Sequence, residues 1–455
     1  MSAPKREGWS SNLGFIFATA GSAIGLGNIW KFPGKAGAGG GGAFLLVYAL
    51  IVFTLGTSVM LAELVLGRHT QRGTVGAFHS VAPRWTFLGA IGILCGFLVL
   101  SYYSVIGGWV LKYVTVYLTG GIAPDQAAAA FAQFTAHPLQ PLIFLLLFLG
   151  ATALIVLRGI SGGIERVSRV FMPVLLVLLL VLLVRSVTLP GAAEGLRFLT
   201  TFDFSRLTPP VLLSALGQAL FSLSVGLGTT CTYASYLSRK ENLAANTGLI
   251  CLLDTAVAFL AAFMLIPAVF ATGTPLGAGG TFAFVALPGV FAAIPGGSVF
   301  AALFYLLLAF AALTSSISIL EALVTFGVET LHLSRRRATL CFVVLLALFG
   351  AIYSLSQGAV DLRGVWYSVR AGVTFPSLGA MLENLTDYLL IPLGSLGFCL
   401  FVGWIWGAEY AIAEVTQGGR FRFPLQRVWS VLIRYFAPAA ILLILVLGFL
   451  GEITL

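Results

Sequence analysis

Long apolar runs recur along the chain, separated by short polar or glycine- and proline-containing stretches. A helix crossing a bilayer needs about 20 predominantly apolar residues. By that measure eleven candidate spans lie near 12–36, 41–67, 84–118, 141–157, 165–186, 208–237, 242–272, 298–331, 336–354, 386–413 and 427–450. Membrane β-strands would appear as short alternating segments, and these runs are too long and too uniformly apolar for that. Several exceed the bilayer thickness, so tilt or protrusion is expected. The pattern predicts an all-α polytopic membrane protein. The segment 272–297 is rich in glycine and proline yet apolar, which predicts two short helices split near Pro288 and packed on the outer face. The polar, mixed segment 355–385 predicts an extracellular loop.

Composition agrees with a lipid solvent. Apolar residues make up 59% of the 455, charged residues 9%, and the mean hydropathy is +1.02. Soluble domains carry roughly 25% charged residues. A soluble enzyme, a nucleic-acid binder and a disordered protein are excluded. The net charge of +9 reads as an orientation signal. Lys5, Arg6, Arg68, Arg72, Arg84, Arg158, Arg166, Arg169, Arg239, Lys240, Arg335, Arg336, Arg337, Arg420, Arg422 and Arg427 fall on alternate connections, whereas 119–140 and 272–297 hold no Lys or Arg. The positive-inside rule then places the N-terminus in the cytoplasm and, after eleven spans, Glu452–Leu455 outside. The short polar N-terminus, Met1–Trp9, has no signal-peptide pattern. The five cysteines are scattered through apolar runs, and the four histidines form no metal-spaced motif. No nucleophile–base set is visible, so no enzyme is expected.

Two spans carry a weakness at the same relative place. Span 1 (12–36) reads Gly21-Ser22-Ala23-Ile24-Gly25-Leu26-Gly27-Asn28, and span 6 (208–237) reads Ser222-Leu223-Ser224-Val225-Gly226-Leu227-Gly228-Thr229. Glycine costs a helix about 1 kcal/mol relative to alanine. Each span opens a set of five, and an odd number of spans inverts the second set relative to the first. Matching interrupted spans in two inverted halves point to a transporter's central site. Half-helix N-termini suit a carboxylate, and freed carbonyls suit a cation or ammonium group. The competing reading is close helix packing through small residues. The run Gly37–Gly42 lacks the GK[ST] ending of a phosphate loop and joins two apolar spans, so that reading is rejected.

Polar side chains within the spans add candidates. Asp254 lies in LICLLDTAVAFL, where a bare carboxylate costs at least ~2.5–3.5 kcal/mol. Its partner is either a neighbouring helix or a cation. Glu63 and Glu321 are open to structural roles, Glu63 through freed backbone and Glu321 at the cytoplasmic vestibule. Thr314-Ser315-Ser316 and Ser318 either bond the preceding turn or ligate a hard cation. Tyr102 and Tyr103 are ambiguous in the same way.

Arg6-Glu7-Gly8-Trp9, GSAIGLGNIWKFP (21–33), GGGAF (40–44), GQALFSLSVGLG (217–228), TYASY (232–236) and LTSSIS (313–318) resemble the neurotransmitter:sodium symporter family. The likeness is strongest to its bacterial amino-acid branch with eleven spans, and it covers essentially the whole chain. It implies a five-plus-five inverted repeat of the leucine-transporter type with helices 1 and 6 broken. The parts would be a cytoplasmic segment 1–11, a first repeat 12–186, an extracellular loop 187–207, an inverted repeat 208–413, and a cytoplasmic loop with span 11 over 414–455. It also implies two sodium ions. The first would use the Ala23 carbonyl, Asn28, Ser222, Asp254 and the substrate carboxylate. The second would use carbonyls of Gly21, Ile24 and Ala311 with the Thr314 and Ser315 hydroxyls. The substrate carboxylate would meet the Leu26 and Gly27 N–H groups and the Tyr103 hydroxyl. Its ammonium would meet carbonyls of Ala23 and Phe221 and the Ser224 region. Val99, Phe221, Leu227, Ser318 and Ile319 would line the side-chain pocket.

Departures from the family pattern sharpen the expectation. Monoamine carriers place an aspartate where Gly25 stands, so here the substrate should bring its own carboxylate as an α-amino acid. Chloride-dependent relatives use residues matching Tyr48, Gln218 and Ser222, and they have asparagine where Asp254 stands. One fixed carboxylate can replace chloride, which predicts chloride independence and, as a further expectation, protonation of Asp254 in the empty return state. The outer gate would be Lys31 with Asp387 above Tyr103 and Phe221, and the inner gate Arg6 with Glu329 beside Ser235 and Tyr236. Lysine lacks arginine's planar fork. The expected activity is sodium-coupled import of a neutral, hydrophobic amino acid across the cytoplasmic (inner) membrane by alternating access. A membrane sensor that binds amino acids without concentrating them is the alternative. Partners are the amino acid and the lipid bilayer, with no nucleic acid, and the sequence leaves the oligomeric state open.

Overall fold

The computed structural model describes residues 7–275, 282–360 and 378–450. Nine helices among these are long and apolar enough to cross a membrane. They are Gly42–Thr70 (span 2), Pro83–Leu118 (3), Gln140–Leu157 (4), Ile160–Val187 (5), Leu243–Thr272 (7), Gly297–Glu329 (8), Arg335–Leu355 (9), Leu378–Ile405 (10) and Gln426–Leu447 (11). Span 1 is a bent pair, Asn12–Ala23 and Gly27–Ala38, at 54°. Span 6 is also two pieces, Pro209–Ser222 and Thr229–Ala234. The fold is therefore the all-helical inverted repeat, with a broken helix opening each half.

Burial sorts the spans into centre and periphery. In span 8, 83% of the central apolar window is buried, against 28% in spans 5 and 11. The peripheral pair turns apolar side chains outward, including Val177, Val184, Leu442 and Val446, as a lipid-facing helix does. Span 8 packs along span 3, and span 1 packs against spans 5, 7 and 8. The broken helices thus lie inside a ring of intact ones.

Two expectations on the outer side are corrected. The segment near Pro288 is one helical piece, Phe282–Ala292, not two split at the proline. Proline lacks the N–H that would serve a carbonyl one turn back. Here the Tyr113 hydroxyl donates to the Phe284 carbonyl (3.0 Å) and the Tyr305 hydroxyl to the Ala283 carbonyl (2.7 Å). Pro288 falls in the first turn of the α-helical part, Leu287–Ala292, where a missing N–H is tolerated, and the two tyrosine hydroxyls take carbonyls of the π-helical turn before it. Span 10 begins at Leu378, eight residues before the expected 386, and ends at Ile405, with a separate helix over Ala408–Thr416. Gly407, at φ +100°, makes that break. Much of the expected 355–385 loop lies outside the described residues, and so do Arg6 and Glu452–Leu455.

The glycine run between spans 1 and 2 has a packing role. Gly41 sits at φ +66° and bridges to Phe202 of the 187–207 connection. A Cβ at Gly42 would lie 2.7 Å from the carbonyl oxygens of Leu199 and Thr201. Only glycine lets that connection lie directly on the turn.

Candidate functional site

Both helix breaks face one another at the centre of the ring. The first half of span 1 ends at Ala23, and Ile24 leaves helical geometry at ψ 89°. Helix resumes at Gly27. In span 6, Gly226 takes φ +86° and Gly228 +73°, while Ser224 takes +52°. Backbone freed by the second break is held by Glu63 of span 2. Its carboxylate accepts the Gly226 N–H at 2.6 Å and the Thr230 hydroxyl. This is the contact with freed backbone named for Glu63.

Asn28, Ser222 and Asp254 meet beside the breaks, all at most 1% exposed. Asn28 Nδ2 donates to Asp254 Oδ1 (2.7 Å) and to Ser222 Oγ (2.9 Å), and Ser222 Oγ lies 2.8 Å from Asp254 Oδ2. Among the described residues no Lys, Arg or His forms an ion pair with Asp254. A buried carboxylate with hydrogen bonds but no counter-charge is suited to a cation. Ala23, the fourth expected donor, lines the same cavity. Next to the cluster, Tyr48 OH and Gln218 Oε1 are buried without a hydrogen-bond partner among the described residues.

The second expected cation set also gathers. Thr314 Oγ1 lies 3.0 Å from the Ala311 carbonyl, and Ser315 Oγ lies 3.0 Å from the Ser22 carbonyl. Gly21 faces them, since a Cβ there would come within 3.3 Å of Thr314 Cβ. Ile24 follows at the end of the first half-helix, its N–H bonded to Ala20 (2.7 Å). All donors are neutral oxygens, which fits a hard monovalent cation. Among the described residues no cluster of three His, Cys, Asp or Glu could hold a transition metal.

A cavity of about 40 Å³ is lined by Asn28 and Ser222 of the first cluster and by Ser315 of the second. Gly25, Leu26, Gly27, Val99, Tyr103, Phe221, Ser224, Leu227 and Ile319 line it, and Ser315, Val225 and Ile391 line it too. Nothing in the pattern of span 10 marked Ile391. Ser318 is not in the wall. Its hydroxyl bonds the Ser22 hydroxyl (2.6 Å) and the Ser315 carbonyl (2.7 Å), which draws it into the span 1–span 8 contact. The Leu26 N–H donates to Tyr103 OH at 3.3 Å, so two groups assigned to the substrate carboxylate bond one another. A Cβ at Gly25 would lie 2.8 Å from Ser315 Oγ and 3.1 Å from Tyr103 OH. No side chain fits there without displacing its neighbours.

Larger cavities lie on either side. The outer one, about 270 Å³, shares Leu26, Gly27, Tyr103 and Phe221 with the central cavity. Those residues are the partition. Above it Lys31 Nζ lies 3.0 Å from Asp387 Oδ2 and 4.4 Å from the centre of the Phe221 ring. The inner cavity, about 640 Å³, includes Glu7, Arg72, Tyr236, Glu329 and Arg335 in its lining. Glu329 accepts the Gly73 N–H (2.9 Å), and its expected partner Arg6 lies outside the described residues. Tyr236 OH donates to Glu321 (3.0 Å), and Arg335 reaches both oxygens of Glu321 at 3.1 and 2.5 Å. Ser235 is fully buried, its hydroxyl on the Thr232 carbonyl (2.6 Å). The Arg335–Glu321 pair was not legible in the sequence, where Arg335 is one of three consecutive arginines. Trp9 fixes the N-terminal segment to span 6 through the Tyr233 carbonyl (2.9 Å).

Comparison with known proteins places this arrangement in a lineage. The profile of the sodium:neurotransmitter symporter family matches residues 6–137 and 131–452. The chain is 38% identical over 449 residues to an uncharacterized sodium-dependent transporter, YhdH, of Bacillus subtilis, covering 98% of each. It is 33% identical to an uncharacterized sodium-dependent transporter of Haemophilus influenzae, over 97% of this chain and 98% of that one. Among solved structures it resembles MhsT in complex with L-phenylalanine, with a TM-score of 0.87, 39% identity and coverage of 97% and 99% of the two chains. A profile spanning nearly the whole sequence, full-length relatives and the shared fold agree: the chain belongs to the sodium:neurotransmitter symporter family.

Proposed function

We propose that the protein is a sodium-coupled symporter that imports a neutral, hydrophobic α-amino acid by alternating access and needs no chloride. The observation that carries this reading is the buried Asn28–Ser222–Asp254 cluster, whose carboxylate has no cationic side chain beside it. Sodium, as a transported ion, supplies the missing charge there. A second sodium is taken by the Gly21, Ile24, Ala311, Thr314 and Ser315 oxygens. The substrate is a zwitterion, because the space beside Gly25 has no room for a fixed carboxylate of the protein. Its carboxylate takes the Leu26 and Gly27 N–H groups and the Tyr103 hydroxyl, and also completes the first sodium shell. Ion and substrate therefore strengthen each other's binding reciprocally. The apolar wall from Val99, Phe221, Leu227 and Ile319 favours an apolar side chain. The complex of MhsT with L-phenylalanine supports this choice.

The transport cycle follows from the two gates. With sodium bound, Phe221 and Tyr103 close over the substrate, and Lys31 with Asp387 seals the outer side. Spans 1, 2, 6 and 7 then rock against the others, and loss of the second sodium releases the first half of span 1. The protein sits in the cytoplasmic membrane with its N-terminus inside, as the basic connections indicate. Asp254 supplies the negative charge that chloride would otherwise bring. The test is uptake of a labelled amino-acid panel into proteoliposomes under an inward sodium gradient in chloride-free gluconate. Concentrative uptake of Leu, Met, Phe or Trp that vanishes in potassium is expected. Sodium-dependent binding without accumulation, with or without chloride, would instead establish a sensor.

A further inference from the structure

The outer ion pair has a standby partner on each side. Lys31 and Lys35 lie four residues apart on the outer half of span 1. Glu383 and Asp387 lie four apart at the start of span 10. Residues at that spacing share a helix face. The Lys31–Asp387 pair, at 3.0 Å, separates two cavities. On one side Lys31 and Glu383 line the outer cavity. On the other, Lys35 and Asp387 line a slot of about 20 Å³ together with Gln218 and Pro392. Lys35 is half-buried, yet among the described residues it has no hydrogen bond and no ion pair. Among the described residues the Glu383 carboxylate accepts one hydrogen bond, from Tyr353 OH at 2.7 Å, and an ionised carboxylate has capacity for more.

We propose that the outer gate opens by exchanging partners: as Lys31 and Asp387 part, Lys31 passes to Glu383 and Asp387 passes to Lys35. The proposal deepens the alternating-access reading and rests on it. Separating a part-buried pair without replacement leaves two charges poorly solvated. Two waiting partners remove that penalty, so opening and closing stay close in free energy. Lys35 and Glu383 are positioning residues, acting through the gate pair. If Lys35 merely extends to the surface along its apolar stem, its charge has no link to Asp387.

The readout is the rate at which a thiol reagent labels Gln357→Cys, in the outer cavity, in a Cys341→Ser background. The other four cysteines are buried. Labelling is measured in sodium without any substrate. Lys35→Gln and Glu383→Gln should each slow it by on the order of threefold, the scale of a part-exposed ion pair. Lys35→Arg should restore the rate, which also separates the effect from misfolding. In an Asp387→Asn background Lys35→Gln should add nothing. Unchanged rates in both single variants, or equal slowing by Lys35→Gln with and without Asp387, would overturn the exchange. Because labelling needs no substrate, a failure of the amino-acid reading leaves this result independent.

Discussion

Asp254 concentrates the functional argument at the scale of a single residue. Asparagine there would keep one acceptor oxygen, which both Asn28 Nδ2 and Ser222 Oγ reach, and remove the charge. Uptake by Asp254→Asn is expected to collapse in gluconate and to return when chloride is added. Retained chloride-free uptake in that variant would remove the argument for charge replacement. In the proposed second cation site the side-chain oxygens are those of Thr314 and Ser315. The double variant Thr314→Ala, Ser315→Ala should lose most sodium-dependent uptake, and an unchanged sodium response would sink that assignment. Gly25→Asp must push against Ser315 Oγ and Tyr103 OH. It should reduce amino-acid uptake by about tenfold or more, since a misplacement of about 1 kcal/mol is already several-fold. These residues stood out in the sequence because membrane depth makes a polar or glycine residue conspicuous. Ser318 misled for the same reason, since conspicuous depth says nothing about which neighbour a hydroxyl will find.

Elements were legible wherever a local rule controlled them. The two Gly-Leu-Gly breaks fell where expected, because interrupted helix is tolerated in a membrane only around a protein-lined site. The helix through Pro288 was not legible. Two of its carbonyls are taken by hydroxyls of Tyr113 and Tyr305, which are 171 and 22 residues away. Tyr113→Phe and Tyr305→Phe should each lower stability by about 0.5–1.5 kcal/mol, read as a lower melting temperature in detergent. An unchanged melting temperature in both would show that the helix needs neither hydroxyl. Span 10 was placed eight residues late because its first turns carry Glu383. A charge there looks like loop, yet the Tyr353 hydroxyl donates to it.

At the scale of the molecule, a buried ionic clamp joins the end of span 2 to the connections that hold Glu241 and Glu414. Arg68 of span 2 is fully buried, and it donates to Glu414 Oε1 (2.9 Å) and to the Glu241 carbonyl (2.8 Å). His69 Nδ1 lies 3.3 Å from Glu414 Oε2. Burial alone would push the Glu414 carboxyl up, but the bonds from His69 and Arg68 outweigh it and hold it below its ordinary value of 4.5. A depressed carboxyl stabilises the folded state above its unfolded pKa, and that contribution fades as pH falls through the folded value. Glu414→Gln should therefore melt below the parent at pH 7, with the gap narrowing as the pH is taken below about 4.5. A gap constant with pH would mean that the charge of Glu414 does not hold the clamp.

The sequence by itself determined the lipid solvent, the span count, the two broken helices and the family, because each follows from local composition or from motifs whose chemistry depends on spacing. Only the tertiary structure decided which buried oxygens face one cavity, that Ser318 turns away from it, that Arg335 answers Glu321, and that Lys35 and Glu383 flank the outer pair. Those facts depend on contacts between spans far apart in the chain. In a membrane the apolar signal marks each helix clearly, but it carries almost no information on how the helix is rotated or where its neighbours lie.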